Sequence, residues 1–117
     1  MILVDTSIWI DHFKKKNEIL SQWILDGMVC THSLIIQEIC LGDFKQKVKI
    51  IDSLKHLIII PMISHQEFIL FSTKHNFRKV GVVDVHLIAS AILSRCSIMT
   101  SDKSLALAAQ KVDLKTL

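Results

Sequence analysis

Residues 1–13 read MILVDTSIWIDHF, and their order decides the fold. Ile2, Leu3 and Val4 form an apolar run without alternation, the pattern of a parallel strand covered on both faces. Asp5 closes the run. Beyond it, Trp9 and Phe13 stand four positions apart and share one face of a helix. A strand that runs through a carboxylate into a helix opens an α/β unit. Taken alone, Asp5 reads as the helix cap.

The rest of the chain repeats this alternation. Ile19, Leu20, Trp23 and Ile24 fall at helical spacing within residues 18–26, and Gly27 supplies a stop. Residues 28–31 read as a second strand. Ser33 is expected to cap a helix that carries Glu38 and ends at Gly42, followed by an amphipathic helix over residues 45–56. Residues 57–60 form a third strand stopped by Pro61, and Ser64 with Glu67 has the capping-box form that opens a helix towards His75. After Gly81, a helix from about Asp84 through Ile92 leads to a strand at residues 97–100. A helix over 105–110 and an edge strand near 114–117 complete the expectation. The pattern predicts a mainly parallel sheet with helices on both faces.

Composition bounds the function. A chain of 117 residues, 50% hydrophobic, has material for one core and is read as a single domain over residues 1–117. Apolar stretches such as residues 57–60 fall far short of the roughly 18 residues that a membrane helix needs. No basic region precedes the first apolar run, so a cytoplasmic protein without membrane attachment is expected. Cys30, Cys40 and Cys96 form no Cys-x-x-Cys pair and are expected to be reduced and buried. The net charge of +3 permits a nucleic-acid partner without demanding one. High hydrophobicity in so short a chain favours a homodimer or a tightly bound partner.

Asp5 ends the first strand and Asp102 follows the fourth, which places both at the carboxyl edge of the sheet, where open α/β folds put their sites. Asp84 begins a helix facing that edge, and Glu38 interrupts an otherwise apolar helix. Each has an ordinary reading, the aspartates as caps and the glutamate as a solvated side chain. Gathered together they repel one another unless a cation neutralises them. Oxygen-only ligands select a hard ion, Mg²⁺ or Mn²⁺. Such an ion supports hydrolysis of a phosphodiester.

The segments VDTSIWIDHF (4–13), THSLIIQEICLG (31–42), VGVVDVHLIASAIL (80–93) and IMTSDKSLALAA (98–109) resemble, in order and spacing, the PIN-domain ribonucleases, and look most like VapC toxins. The resemblance spans nearly the whole chain. It implies a three-layer α/β/α fold, an acidic quartet of Asp5, Glu38, Asp84 and Asp102 holding Mg²⁺ or Mn²⁺ for RNA cleavage, and supporting hydroxyls at Thr6 or Ser7 and at Thr100. It also implies homodimerisation and inhibition by a VapB-like antitoxin. Where many relatives carry a further acid after the fourth motif, this chain has Lys103 and Ser104, so the resemblance does not extend to a stable second metal.

Other polar residues are weaker candidates. His86, two positions from Asp84, points away from it on a helix, and His32 is likewise read as structural. Arg78 and Lys79, just before Gly81, and Lys103 are candidates to meet an RNA phosphate. Lys14, Lys15 and Lys16 suit a helix C-terminus. A receiver-like signalling domain would need an acceptor aspartate after an interior strand, and the second and third strands end at THS and PM instead. The alternative is a catalytically silent PIN-like RNA-binding or interaction module. Such a module is expected to have lost acids, and all four are present.

Overall fold

The computed structural model describes all 117 residues. Four short strands, β1 (Ile2–Val4), β2 (Val29–Thr31), β3 (Ile58–Ile59) and β4 (Ser97–Met99), form one sheet in the order β3-β2-β1-β4. Every pairing is parallel: Leu3 faces Cys30 and Ile98, and Cys30 faces Ile58. β1 is therefore interior, which is why its three residues are all buried and apolar.

Seven helices connect and follow the strands. α1 (Thr6–Lys14) and α2 (Glu18–Leu25) lead from β1 to β2, and α3 (Ser33–Leu41) and α4 (Lys47–Lys55) lead on to β3. The chain then crosses back with α5 (His65–His75) and α6 (Val82–Leu93) to lay β4 on the far side of β1, and α7 (Lys103–Lys111) follows. Parallel crossovers are right-handed, so reversing the stepping direction puts α5 and α6 on the opposite face from α1 to α4. The packing agrees: α1, α3 and α4 touch one another, while α5 packs on α6. This is the expected three-layer α/β/α arrangement. Between the layers lies a core of 21 buried residues that includes Leu3, Trp9, Ile39, Leu54, Ile88 and Ile98. No helix is long and apolar enough to cross a membrane.

Local signals explain most boundaries. Asn17 caps α2 by accepting from the Leu20 N–H, and Gly27, at φ +69°, turns the chain out of that helix. The Ser64/Glu67 capping box is fully formed. Three expectations need correction. The cap of α3 is His32, whose Nδ1 accepts from the Leu34 N–H at 3.0 Å, and Ser33 is already helical. The edge strand near 114–117 reduces to one bridge, Ile98 to Thr116, because Asp113 turns left-handed at φ 60° and only the last residues come alongside β4. Cys30 and Cys96 are free and buried, but Cys40 is exposed, since it lies on the outer side of α3 from the buried Ile35 and Ile39.

Candidate active site

β1 is the strand at which the chain reverses its direction of growth, with β2 and β4 on either side, and ligands of open α/β folds bind at the carboxyl ends flanking such a point. Asp5 sits there. Its N–H continues the ladder to the Met99 carbonyl at 2.9 Å, and the Trp9 ring N–H donates to the Val4 carbonyl at 3.1 Å, which ties α1 over the strand end. Asp5 is buried, and although it occupies the N-cap position its side chain makes no capping bond. Oδ2 instead accepts from the Thr100 hydroxyl at 2.8 Å and, at a longer 3.4 Å, from Ser7. The cap reading of Asp5 therefore fails on geometry.

Asp102 combines both readings. Its Oδ1 accepts from the Ser104 and Leu105 N–H groups at 2.8 and 3.2 Å, a true N-cap of α7. Its own N–H donates to the Thr100 hydroxyl oxygen at 3.0 Å, so Thr100 stands between the two aspartates. Glu38 is brought in by Thr6, whose hydroxyl donates to Oε1 at 3.0 Å. Asp84 lies in the first turn of α6, half-buried, with no hydrogen bond to its carboxyl.

The electrostatics join the four. Burial first, then the charges of Asp5, Asp102 and Glu38, push the Asp84 carboxyl up to about 6. A place near a helix N-terminus favours the charged form, and burial together with the repulsion overrides it. Glu38 is exposed as a whole residue, yet its carboxyl is held above the ordinary glutamate value, by partial burial with Asp5 adding and the Thr6 hydroxyl opposing. No cation answers these charges from within the protein, for the single ion pair is Lys16 with Glu18 on the surface. The donor set is entirely oxygen and suits a hard divalent ion. As placed, no three acidic or other metal-binding side chains form a tight cage. An open acidic cleft still fits Mg²⁺, which keeps several of its waters and takes one or two carboxylates.

The remaining candidates divide. Thr6, Ser7 and Thr100 all bond to quartet members. Arg78 and Lys79 lie on the exposed loop before α6, and Lys103 is the exposed first residue of α7, beside Asp102. His86 stacks on Phe68 at 4.5 Å between ring centres, a packing role. Sequence reasoning missed Ser101, whose hydroxyl donates to Ser7 at 2.9 Å and extends the chain of hydroxyls to Asp5. It also missed the bond between His32 Nε2 and the Ser90 hydroxyl, 3.1 Å, which joins the start of α3 to α6. Neither has a local sequence signal, since each pair meets only through the sheet order.

A parallel α/β/α sheet with carboxylates collected at its reversal point defines a class of domains whose site is an acidic cleft. Residues 2–111 match the PIN domain. Ribonuclease VapC32 of Mycobacterium tuberculosis is 34% identical over 108 residues, covering 90% of this chain and 87% of that protein. VapBC-1 from nontypeable Haemophilus influenzae shares the fold at a TM-score of 0.67 and 17% identity, covering 100% of this chain and 97% of that one. PAE2754 from Pyrobaculum aerophilum does so at 0.63 and 15%, covering 98% of this chain and 81% of that one. The chain belongs to the PIN-domain family, as a VapC-type member.

Proposed function

We propose that this protein is a Mg²⁺- or Mn²⁺-dependent endoribonuclease, the toxin of a VapBC-type pair acting in the cytoplasm, with Asp5, Glu38, Asp84 and Asp102 as its catalytic acids. The observation that carries this reading is the placement of four carboxylates at one edge of the sheet, with Asp5 and Asp102 tied through Thr100 and Glu38 held by Thr6, and with no ion pair from the protein to offset them. Asp84 beside them is pushed up by burial first and by the other three acids second. A bound divalent ion would supply charge neutralisation at the scissile phosphate and an activated water. The chain's own part is orientation. Thr100 holds Asp5 Oδ2, Thr6 holds Glu38 Oε1, and the capping bonds hold Asp102. These fixed donors leave few side-chain torsions to be ordered when the acids take up a ligand.

Leu41 and Leu25, 91% and 81% exposed, are among the large apolar side chains left on the surface. A VapB-like antitoxin and a second copy of this chain are the partners this reading assigns to such surface. The test is cleavage of cellular RNA by the purified protein with EDTA, then with Mg²⁺ or Mn²⁺ restored. Chelation should stop cleavage and either ion should restart it; cleavage undiminished in chelator would overturn the metal assignment. Coexpression with a VapB-like antitoxin should relieve toxicity, and toxicity unrelieved by any small protein encoded beside it would remove the toxin–antitoxin assignment.

A further inference from the structure

An acidic cleft repels the polyanion it is meant to cut, so a strand held there needs cations next to the acids. A groove of about 240 Å³ between residues 77–80 and α7 supplies them: Arg78, Lys79 and Lys111 line it with no acidic residue among its walls. All three are exposed, and none is ion-paired. The groove also reaches the site. Ser104 lines it, and the Ser104 N–H is bonded to Asp102 Oδ1 at 2.8 Å. From Ser104 to Lys111 the wall is two turns of α7, a run of about 10 Å.

The opposite wall is anchored at Phe77. Phe77 is half-buried and packs its ring near Phe71 and His75, at 5.5 and 6.0 Å between centres. Leu107, 67% exposed, offers apolar ground for a sugar or base between the cations. Cations that track a backbone beside an aromatic ring, here Phe77, are the pattern of single-strand binding without sequence preference.

We propose that this groove is the path of the single-stranded RNA beside the cleavage site, with Arg78, Lys79 and Lys111 receiving its phosphates. The inference rests on the ribonuclease reading and adds a direction to it: the strand runs from the acids past Ser104 along α7. Lys111, about two and a half helical turns beyond Asp102, is the residue that separates this path from a cluster of charges around the acids alone.

The test is the salt dependence of binding to a labelled single-stranded RNA of mixed sequence, measured in an Asp5→Asn background so that the probe is not cut. Each cation removed, by Arg78→Ala, Lys79→Asn or Lys111→Ala, should reduce the slope of log affinity against log salt by about 0.7, and the triple variant by about 2. Asn is chosen at position 79 because the backbone there is left-handed, at φ 58°. Lys45→Ala, on a different groove against Phe13 and Phe44, should leave the slope and the basal cleavage unchanged. In the otherwise wild-type enzyme, Lys111→Ala should raise KM for RNA more than it lowers kcat. A triple variant that keeps the full slope overturns the path while leaving the ribonuclease reading intact. Variants that bind RNA normally and lose only the antitoxin also overturn it, assigning the groove to a protein. Absence of metal-dependent cleavage by the wild type overturns the ribonuclease reading itself, whatever the slopes.

Discussion

The Thr100 hydroxyl donates to Asp5 Oδ2 at 2.8 Å, joining residues 95 positions apart at the carboxyl ends of the neighbouring strands β4 and β1. The same oxygen receives the Asp102 N–H at 3.0 Å, so one side chain sets the spacing of two carboxylates. Thr100→Val keeps the shape and removes both bonds. Divalent-ion affinity measured by calorimetry should fall by roughly 10-fold or more, the usual cost of losing a group that orients a ligand. Thr100→Ser should retain most of it. Equal affinity in the valine variant would show that Asp5 needs no such support.

Asp102 caps α7 and belongs to the acid cluster, and the two roles can be separated. Asp102→Asn should melt close to wild type, because asparagine caps as well as aspartate, and should cleave no RNA. Asp102→Ala should lose about 1 kcal/mol of stability as well as activity. An active asparagine variant would reduce Asp102 to a cap.

His32 is fully buried, accepts from Leu34 at one nitrogen and meets Ser90 at the other, and its pKa is driven down to about 4 by burial, with His86 adding. Between about 4 and the ordinary histidine value of 6.5 the unfolded chain binds more protons at this residue than the folded one. The contribution of His32 is thus complete above 6.5 and is lost as pH falls through that window. His32→Ala should cost roughly 3 kcal/mol, from the lost cap and the cavity together, and should abolish this part of the pH dependence in chemical denaturation. A loss well under 1 kcal/mol would contradict the joint role.

Asp84 has the opposite sign. Its folded pKa of about 6 lies above the ordinary 3.8, so the metal-free fold binds more protons between those values. Its contribution is present below 3.8 and lost as pH rises to about 6, staying unfavourable above. Asp84→Asn should remove that slope from metal-free denaturation curves between pH 4 and about 6. A slope unchanged by the substitution would mean that neither burial nor the other acids raise the Asp84 carboxyl in the fold.

How far the molecule was legible depended on the range of each interaction. β1, the Ser64 capping box and the helix stops at Gly27 and Gly42 follow from neighbours a few residues apart, and they lie where the pattern placed them. The quartet was found as four acids in four apolar frames, and the sheet order brings their charges together. The cap of α3 was misplaced by one residue because serine is the commoner cap, while here a buried histidine takes the role through a partner on α6. The hydroxyl chain from Ser101 through Ser7 to Asp5 and the groove lined by Lys111 depend on strand order and on the turn of α7, which no local spacing encodes. The expected strand at 114–117 carried apolar residues but only one register contact.

The central claim is that these acids are held together for a divalent cation, and the most direct measurement is the shift in Tm produced by Mg²⁺ at neutral pH in wild type and in Asp5→Asn. Mg²⁺ at about 100 times its dissociation constant should stabilise the wild type by roughly 2.7 kcal/mol, a clear rise in Tm. Asp5→Asn, with one repelling charge removed and its shape kept, should be at least as stable without metal, respond little to Mg²⁺ and cleave no RNA. A mutant with the full wild-type response to Mg²⁺ and full cleavage would contradict the account.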